Sequence, residues 1–483
     1  MELVLVPTPG MGHLLSAVEL AKRILDRDHR ISILILIFNN IPMSSQTLNS
    51  FVDSQSRDNA HPTRLTFYSL PPLSNPPDPT SPNFFQTLIS LHKPLVKTAV
   101  EDKVKAGSLA GFVLDMFCTT MIDVADHFMV PSYIFFTSGA SMLNLLFHFF
   151  MLEDDQGVDI AAKLNDPDIE FDAAGFVNRV PGKVVPEGLV SKEFGSFRFL
   201  DQFCEFKKSK GIIVNTFTEL ETFGVQSLFD QASKNGMPAF YPVGPILELD
   251  TKHRGGHRVD DEESIIKWLD DQPSSSVVFL CFGSMGSFDE EQVIEIANGL
   301  EKSGHRFLWS LRKPPPEGKL GLPSENETFE EALPEGFPDR TAERGKIIGW
   351  APQVSILGHK ALGGFVSHCG WNSTLESLWF GVPMATWPLY AEQQLNAFEL
   401  VKELGLAVEI RIDYRRDWKT RKGNFKVTAE EIENGVNKLM SLDEETKNKV
   451  REISDKSRNA LEDGGSSHKR LGQFIEDVLS NVA

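Results

Sequence analysis

The chain opens with an unbroken apolar run, residues 3–6, closed by a Pro/Gly turn. Beyond the turn Leu14, Leu15, Val18, Ala21 and Leu25 recur at helical spacing, which predicts a helix. A second apolar run at 31–38 predicts a second strand. The alternation continues with a strand at 111–114, a helix at 119–128 and strands at 132–136 and 211–215. Continuous apolar strands alternating with helices are buried on both faces, so they belong to a parallel sheet with helices on either side.

Between residues 248 and 263 the pattern breaks into Asp, Glu, Lys, His, Arg and Gly, the composition of a linker. The alternation then restarts: strand 277–281, helix 290–302, strand 306–311, strands at 346–348, 364–367 and 382–386, and a helix over 392–404. Residues 314–335 are rich in Pro and Glu and read as a surface loop, and 444–482 are charged and helical in pattern. The organisation expected is an α/β fold of two doubly wound parallel-sheet domains, 1–247 and 264–460, joined by linker 248–263. A terminal helix, 461–483, is expected to pack back on the first domain. Ligands of such sheets bind beyond the carboxyl ends of the strands, so the cleft between two facing sheets is the expected site.

Length agrees, since 483 residues exceed the ~250–300 at which single cores stop growing. The formal charge of −19 argues against nucleic acid or an anionic membrane surface as partner. Cys118, Cys204, Cys281 and Cys369 form no CxxC pair, so neither a disulfide framework nor a structural zinc site is signalled. Glu2, Pro7, Pro9 and Gly10 break what would otherwise resemble a leader. A cytoplasmic, monomeric enzyme is expected, without a membrane span.

Gly10-Met11-Gly12-His13 follows the first strand. A dinucleotide fingerprint would need Gly at position 15, where Leu stands, and an acidic residue where Asn39-Asn40 end the second strand. His13 is instead a candidate general base, its ordinary pKa lying near working pH, or merely a residue of a tight turn. Asp115 emerges at the end of strand 111–114, where it can orient that imidazole or simply cap a helix. A hydrolase elbow is absent, because Gly283-Ser284-Met285-Gly286-Ser287 has the wrong spacing for GxSxG. Asp26-Arg27-Asp28 and Asp166-Pro167-Asp168 could be read as metal-binding carboxylate pairs, but both sit in polar stretches that read as solvated loops.

The densest signal is the block 350–393, from Trp350-Ala351-Pro352-Gln353 through Ser367-His368-Cys369-Gly370-Trp371-Asn372-Ser373-Thr374-Leu375-Glu376 to Tyr390-Ala391-Glu392-Gln393. A strand ending at Ser367 and a helix beginning near Asn372-Ser373 aim backbone N–H groups, a helix dipole and a hydroxyl at one spot, suited to a phosphate. His368 could add a hydrogen bond or a positive charge. Ser373 to Glu376 also fits a capping box.

This block resembles the 44-residue signature box of plant family-1 UDP-sugar glycosyltransferases, and residues 6–13, 113–115, 136–138, 211–221 and 268–284 are similar to further segments of that family. The resemblance implies the two-domain fold called GT-B and a UDP-sugar as donor co-substrate, with no cofactor and no metal. By matching position, Trp350 would stack on uracil, with Ala351 and Gln353 at its edge. His368, Asn372, Ser373 and Ser284 would contact the diphosphate, and Glu376 the ribose. Trp371, Glu392, Gln393 and Thr137 would address the sugar. His13 and Asp115 fall on the catalytic dyad, and His13 and Ala391 border the acceptor. Gln393 with Trp371 resembles members preferring UDP-glucose, whereas His at 393 would suggest UDP-galactose. The implied reaction is inverting transfer to a hydroxyl of an apolar flavonoid, other phenolic or terpenoid. The alternative is a UDP-sugar-binding protein that has lost turnover.

Overall fold

The computed structural model describes the chain except residues 39–44, 58, 79–80, 82, 191–197, 251–258, 317–322, 325–326, 418–419, 421 and 482–483. Half of the expected linker, residues 251–258, therefore lies outside the described residues, and helix Val259–Asp270 already begins within its last part.

Two parallel sheets organise the molecule. The first contains β1 (Glu2–Val6), β2 (Ser32–Ile37), β3 (Leu65–Ser69), β4 (Leu109–Asp115) and β5 (Ser132–Phe136). A small antiparallel pair, β6 (Glu170–Phe171) and β7 (Val180–Pro181), stands apart, and β8 (Gly211–Val214) and β9 (Ala239–Pro242) complete the sheet. Its order is β3-β2-β1-β4-β5-β8-β9. The second sheet contains β10 (Val277–Cys281), β11 (Arg306–Ser310), β12 (Gly345–Ile348), β13 (Leu362–Ser367), β14 (Met384–Thr386) and β15 (Ala407–Glu409), in the order β12-β11-β10-β13-β14-β15.

Both sheets start at a central strand, wind to one edge, and return to the other side of the first strand. The winding reverses between β1 and β4, and again between β10 and β13. At such a reversal the loops leaving the two strands diverge and open a crevice. His13 lies just beyond β1 and Asp115 ends β4, while Ser284 and His368 follow β10 and β13.

The central strands form because each side chain is covered from above and below. Every residue of β1, β4, β5 and β10 is buried. Helix Met11–Arg27 buries Leu14, Val18, Ala21 and Leu25 against the first sheet. The edge strands β3, β9 and β15 escape the apolar-run criterion. In β3 three of five residues are exposed, β15 is three half-buried residues ending in Glu409, and β9 ends in a proline.

The carboxyl-terminal stretch is two helices, Glu444–Leu461 and Ser466–Leu479, broken at Gly464 and Gly465, rather than one helix from residue 461. The second returns to the first sheet, burying Leu471, Phe474, Ile475, Val478 and Leu479 with Tyr133, Tyr241 and Val243. At about 1.5–3 kcal/mol per fully buried apolar side chain, this docking is a substantial bond between the chain's ends. The Tyr241 hydroxyl adds a hydrogen bond to the Asp477 carboxylate. No described helix is long and apolar enough to cross a membrane.

Candidate active site

The loops beyond β1 and β13 meet. Asn372 Nδ2 donates to the Gly12 carbonyl at 3.4 Å, and the Trp371 indole N–H donates to the Asn215 carbonyl at 2.7 Å. These contacts bring the two reversals of strand order together across one seam.

On the amino-terminal side His13 Nδ1 lies 2.7 Å from Asp115 Oδ2, although the residues are 102 positions apart. The other carboxylate oxygen accepts the Thr8 hydroxyl and, at 3.1 Å, the Phe117 N–H. Asp115 is thus held from three sides, and the helical turn that follows has Cys118, not Asp115, at its N-cap position. A carboxylate partner at Nδ1 fixes the neutral imidazole as the Nδ1–H tautomer, leaving the Nε2 lone pair for a reactant. The His13 side chain is 27% exposed, enough for access. Desolvation disfavours its charged form, but the field and hydrogen bond of Asp115, with Glu392 across the seam, outweigh it and raise the pKa above the ordinary 6.5. Thr137 Oγ1 is 3.3 Å from His13 Nδ1.

On the carboxyl-terminal side, Gly370 is the N-cap of helix Trp371–Trp379. Ser373 is therefore the third helical residue, and the capping box from Ser373 to Glu376 does not form. Glu376 accepts Gln353 Nε2 at 2.6 Å instead, and the same amide nitrogen reaches Ser373 Oγ at 2.9 Å. Trp350, Ala351 and Gln353 follow β12, so they border the same helix start. Thr374 N–H makes the first intrahelical bond, to Gly370, which leaves the earlier N–H groups for the cleft. One of them, from Trp371, goes to the Glu392 carboxylate, which burial pushes above its ordinary pKa.

His368 is wedged between two glycines. A Cβ on Gly283 would lie 2.4 Å from its Nε2 and one on Gly370 2.6 Å away. Burial, with Arg312 nearby, pulls its pKa down to about 4. Of the two roles the sequence left open, a hydrogen bond or a positive charge, this lowered pKa favours the hydrogen bond. The Trp371 indole N–H is committed to Asn215, and its ring is buried in the seam. What it turns to the cleft is backbone. Gln393 Oε1 accepts the N–H groups of Leu389 and Tyr390, at 2.9 and 3.0 Å, tying the turn that carries exposed Ala391. Ala391 and Cys369 have left-handed φ values of 55° and 62°. Such non-glycine strain costs about 1–3 kcal/mol each and gathers at functional loops.

Two arginines were not singled out in the sequence. Arg312 Nη2 donates to the Gly283 carbonyl at 2.6 Å and stacks 5.2 Å over Trp350. Arg416 holds the Ser287 carbonyl at 2.6 Å and that of Met285 at 3.1 Å. Together they staple the loop of exposed Ser284. Arg312 stands just beyond apolar β11, so the rule that selects Asp115 could have selected it. Arg416 lies in a polar run that offers no such signal. The rival carboxylate pairs are engaged locally: Asp26 with His61 at 2.7 Å, Asp28 with Arg30 at 2.6 Å, and Asp166 with the Asp168 N–H at 3.0 Å. Among the described residues no group of three or more His, Cys, Asp or Glu side chains could hold a metal ion.

Two facing doubly wound sheets, with a helix start on one lobe and an imidazole–carboxylate pair on the other, define a GT-B architecture. The family described as UDP-glucoronosyl and UDP-glucosyl transferase matches residues 241–444. UDP-glycosyltransferase 71E1 of Stevia rebaudiana is 51% identical over 487 residues, covering 100% of this chain and 99% of that protein. UDP-glucose flavonoid 3-O-glucosyltransferase 6 of Fragaria ananassa is 48% identical, with 99% of each chain covered. Among solved structures, a transferase from Siraitia grosvenorii in complex with UDP has a TM-score of 0.87 at 47% identity, covering 99% of both chains. Medicago truncatula UGT71G1 complexed with UDP-glucose has a TM-score of 0.85 at 39% identity, covering 99% of this chain and 98% of that one. The chain belongs to the plant family-1 UDP-glycosyltransferases. It is an enzyme that transfers a glycosyl group from a UDP-sugar, its donor co-substrate, to an acceptor.

Proposed function

We propose that this enzyme moves glucose from UDP-glucose to a hydroxyl of an apolar small molecule, a flavonoid, other phenolic or terpenoid, with inversion to the β-glucoside. The observation that carries the proposal is the 2.7 Å His13–Asp115 contact facing the start of helix Trp371–Trp379 across the seam. His13 Nε2 takes the acceptor's hydroxyl proton while Asp115 stabilises the imidazolium. The acceptor oxygen attacks the anomeric carbon, and the bond to the β-phosphate oxygen breaks with its electron pair leaving on UDP. Base and leaving group approach from opposite lobes, as a single in-line displacement requires, so the α-linked donor becomes a β-linked product.

For the donor, Trp350 stacks on uracil, Ala351 and Gln353 meet its edge, and Glu376 binds the ribose. The diphosphate lies against Ser284, His368, Asn372 and Ser373, where N–H dipoles and neutral hydrogen bonds receive its charge. Trp371, Glu392, Gln393 and Thr137 bind the sugar. The UDP-glucose complex of the Medicago relative supports glucose. The acceptor enters past Ala391 against Phe117, whose ring lies edge-on to His13 at 5.6 Å and 5.0 Å from Phe199. A flat aromatic fits this setting, in line with the flavonoid in the Fragaria relative's name.

His13→Ala is the test. Transfer to alcohols should fall by roughly 100- to 10,000-fold, the usual contribution of a positioned base, with UDP affinity kept. Wild-type turnover in that variant would end the proposal.

A further inference from the structure

Two carboxyl groups are buried side by side in the seam. Glu221 precedes helix Thr222–Asn235, and Glu399 opens the π-helical turn Glu399–Glu403 that continues helix Gln393–Phe398. They are 2% and 3% exposed. Glu221 sits at the start of the 15-residue helix Ala140–Asp154, accepting the N–H groups of Ala140 at 2.8 Å and Ser141 at 2.6 Å. The Ser141 hydroxyl donates to Glu399 Oε1 at 2.6 Å, and Glu399 is also in hydrogen-bond contact with Glu221.

Two ionised carboxylates side by side at 2% and 3% exposure repel strongly, because such burial removes the solvent screening that an exposed pair would have. Among the described residues, the charged groups that reach Glu399 are Glu221 and Glu403, both acidic. Helix Ala140–Asp154 presents the uncharged Ser141 hydroxyl to it. Glu221, with two N–H donors and the positive end of a helix, is the better home for the charge. The proton therefore stays on Glu399, and burial together with Glu221 holds that carboxyl well above the usual range.

The position of Glu399 gives this pair a consequence. Glu392, Asn396, Glu399 and Glu403 recur at helical spacing along one face. Glu392 faces His13. Asn396 Nδ2 donates to the Cys369 carbonyl at 2.9 Å, holding the left-handed turn before Trp371. Glu403 accepts the N–H groups of Val177 at 2.7 Å and Asn178 at 2.9 Å, from the other lobe. π-turns are rare and concentrate at functional sites.

We propose that Glu399 and Glu221 share one proton across the seam, and that this acid–carboxylate bond is a positioning device holding Glu392 and Gln393 against the lobe that carries His13. Its effect on transfer rests on the function proposed above; the shared proton itself does not. When the lobes part, Glu399 meets water and ionises near the ordinary 4.5, so above that pH the closed form holds one more proton than the open form. Closure is then strongest at acid pH and weakens as pH rises through the raised Glu399 value, by up to about tenfold per pH unit, the limit for one proton.

The test compares wild type, Glu399→Gln and Glu399→Ala between pH 6 and 9, reading UDP-glucose affinity by calorimetry and amide exchange at Ser141 and Val177. A glutamine amide donates to Glu221 and accepts from Ser141 without titrating. The affinity of wild type relative to the Gln variant should fall with rising pH, and Glu399→Ala should accelerate seam exchange throughout. Superimposable pH profiles for wild type and Gln would overturn the shared proton, and unchanged exchange in the Ala variant would overturn the positioning role. If Glu399→Ala does not fold, the Gln comparison decides alone. Exchange involves no turnover, so failure of His13 as base would leave this result standing.

Discussion

Replacing Asp115 by Asn removes a charge and little else. The amide is nearly isosteric with the carboxylate, and its oxygen can still accept from Thr8 and from the Phe117 N–H, bonds that now hold one carboxylate oxygen. Lost is the anion that stabilises the His13 imidazolium at 2.7 Å. With charge centres about 4 Å apart and an effective dielectric near 20, which already allows for solvent reaching a partly open imidazole, that attraction is about 4 kcal/mol. At 1.36 kcal/mol per power of ten, kcat/KM should drop roughly a thousandfold. An Asn Nδ2 donating to Nδ1 would also move the imidazole proton to Nε2, where the lone pair is needed, extending the loss toward about ten-thousandfold.

The pH profile supplies a second number. A base must be unprotonated, so wild-type kcat/KM should rise with pH through a midpoint above 6.5, in the direction of the His13 shift. In Asp115→Asn the attraction that raises this pKa is gone while desolvation, which lowers it, remains, so the rising limb should move to lower pH. The same groups contribute to stability with a fixed sign. The His13–Asp115 pair contributes fully below the ordinary imidazole value and is lost as pH rises through the raised one. The assay is kcat/KM for a phenolic acceptor across pH 5.5–9, with UDP affinity measured in parallel. A rising limb that stays put, or near wild-type activity with unchanged UDP binding, would refute the electrostatic argument.

Glu376→Ala should raise the KM for UDP-glucose by roughly 10- to 100-fold, the value of hydrogen bonds to a charged group. Because Glu376 does not cap its helix and the Gln353 amide keeps Ser373 as a partner, thermal unfolding should move less than donor binding does; a large drop in melting temperature with unchanged KM would restore the capping reading. Arg416→Gln frees the carbonyls of Met285 and Ser287 and should weaken donor binding by a similar factor, with the acceptor KM little changed, as steady-state kinetics with each substrate varied would reveal. Trp371→Phe leaves the buried Asn215 carbonyl without its indole donor. It should cost about 1–3 kcal/mol in denaturant unfolding; no loss would mean that the seam does not depend on this bond.

The sequence alone determined what is repeated or locally encoded. Strands covered on both faces must be apolar throughout, so β1, β4, β5, β10 and β13 stand out as runs, and two such series separated by a polar stretch predict two sheets. The block 350–393 is legible for the same reason: its Trp, His, Asn, Ser and Glu crowd a strand-to-helix turn within a few residues of each other. Edge strands β3, β9 and β15 were not legible, because a strand open on one side has no need of a continuous apolar run.

Tertiary structure decided which groups meet. His13 and Asp115 could each be chosen for following a strand, yet only the adjacency of β1 and β4 makes them partners. The same packing turned the Trp371 indole toward Asn215, neutralised His368 between two glycines, and set Glu221 against Glu399. In each case the chemistry depends on a neighbour far away in the chain and on how little water reaches the pair. A side chain's type restricts what it can do, but burial and contact across the seam fix its charge, and those are properties of the folded molecule.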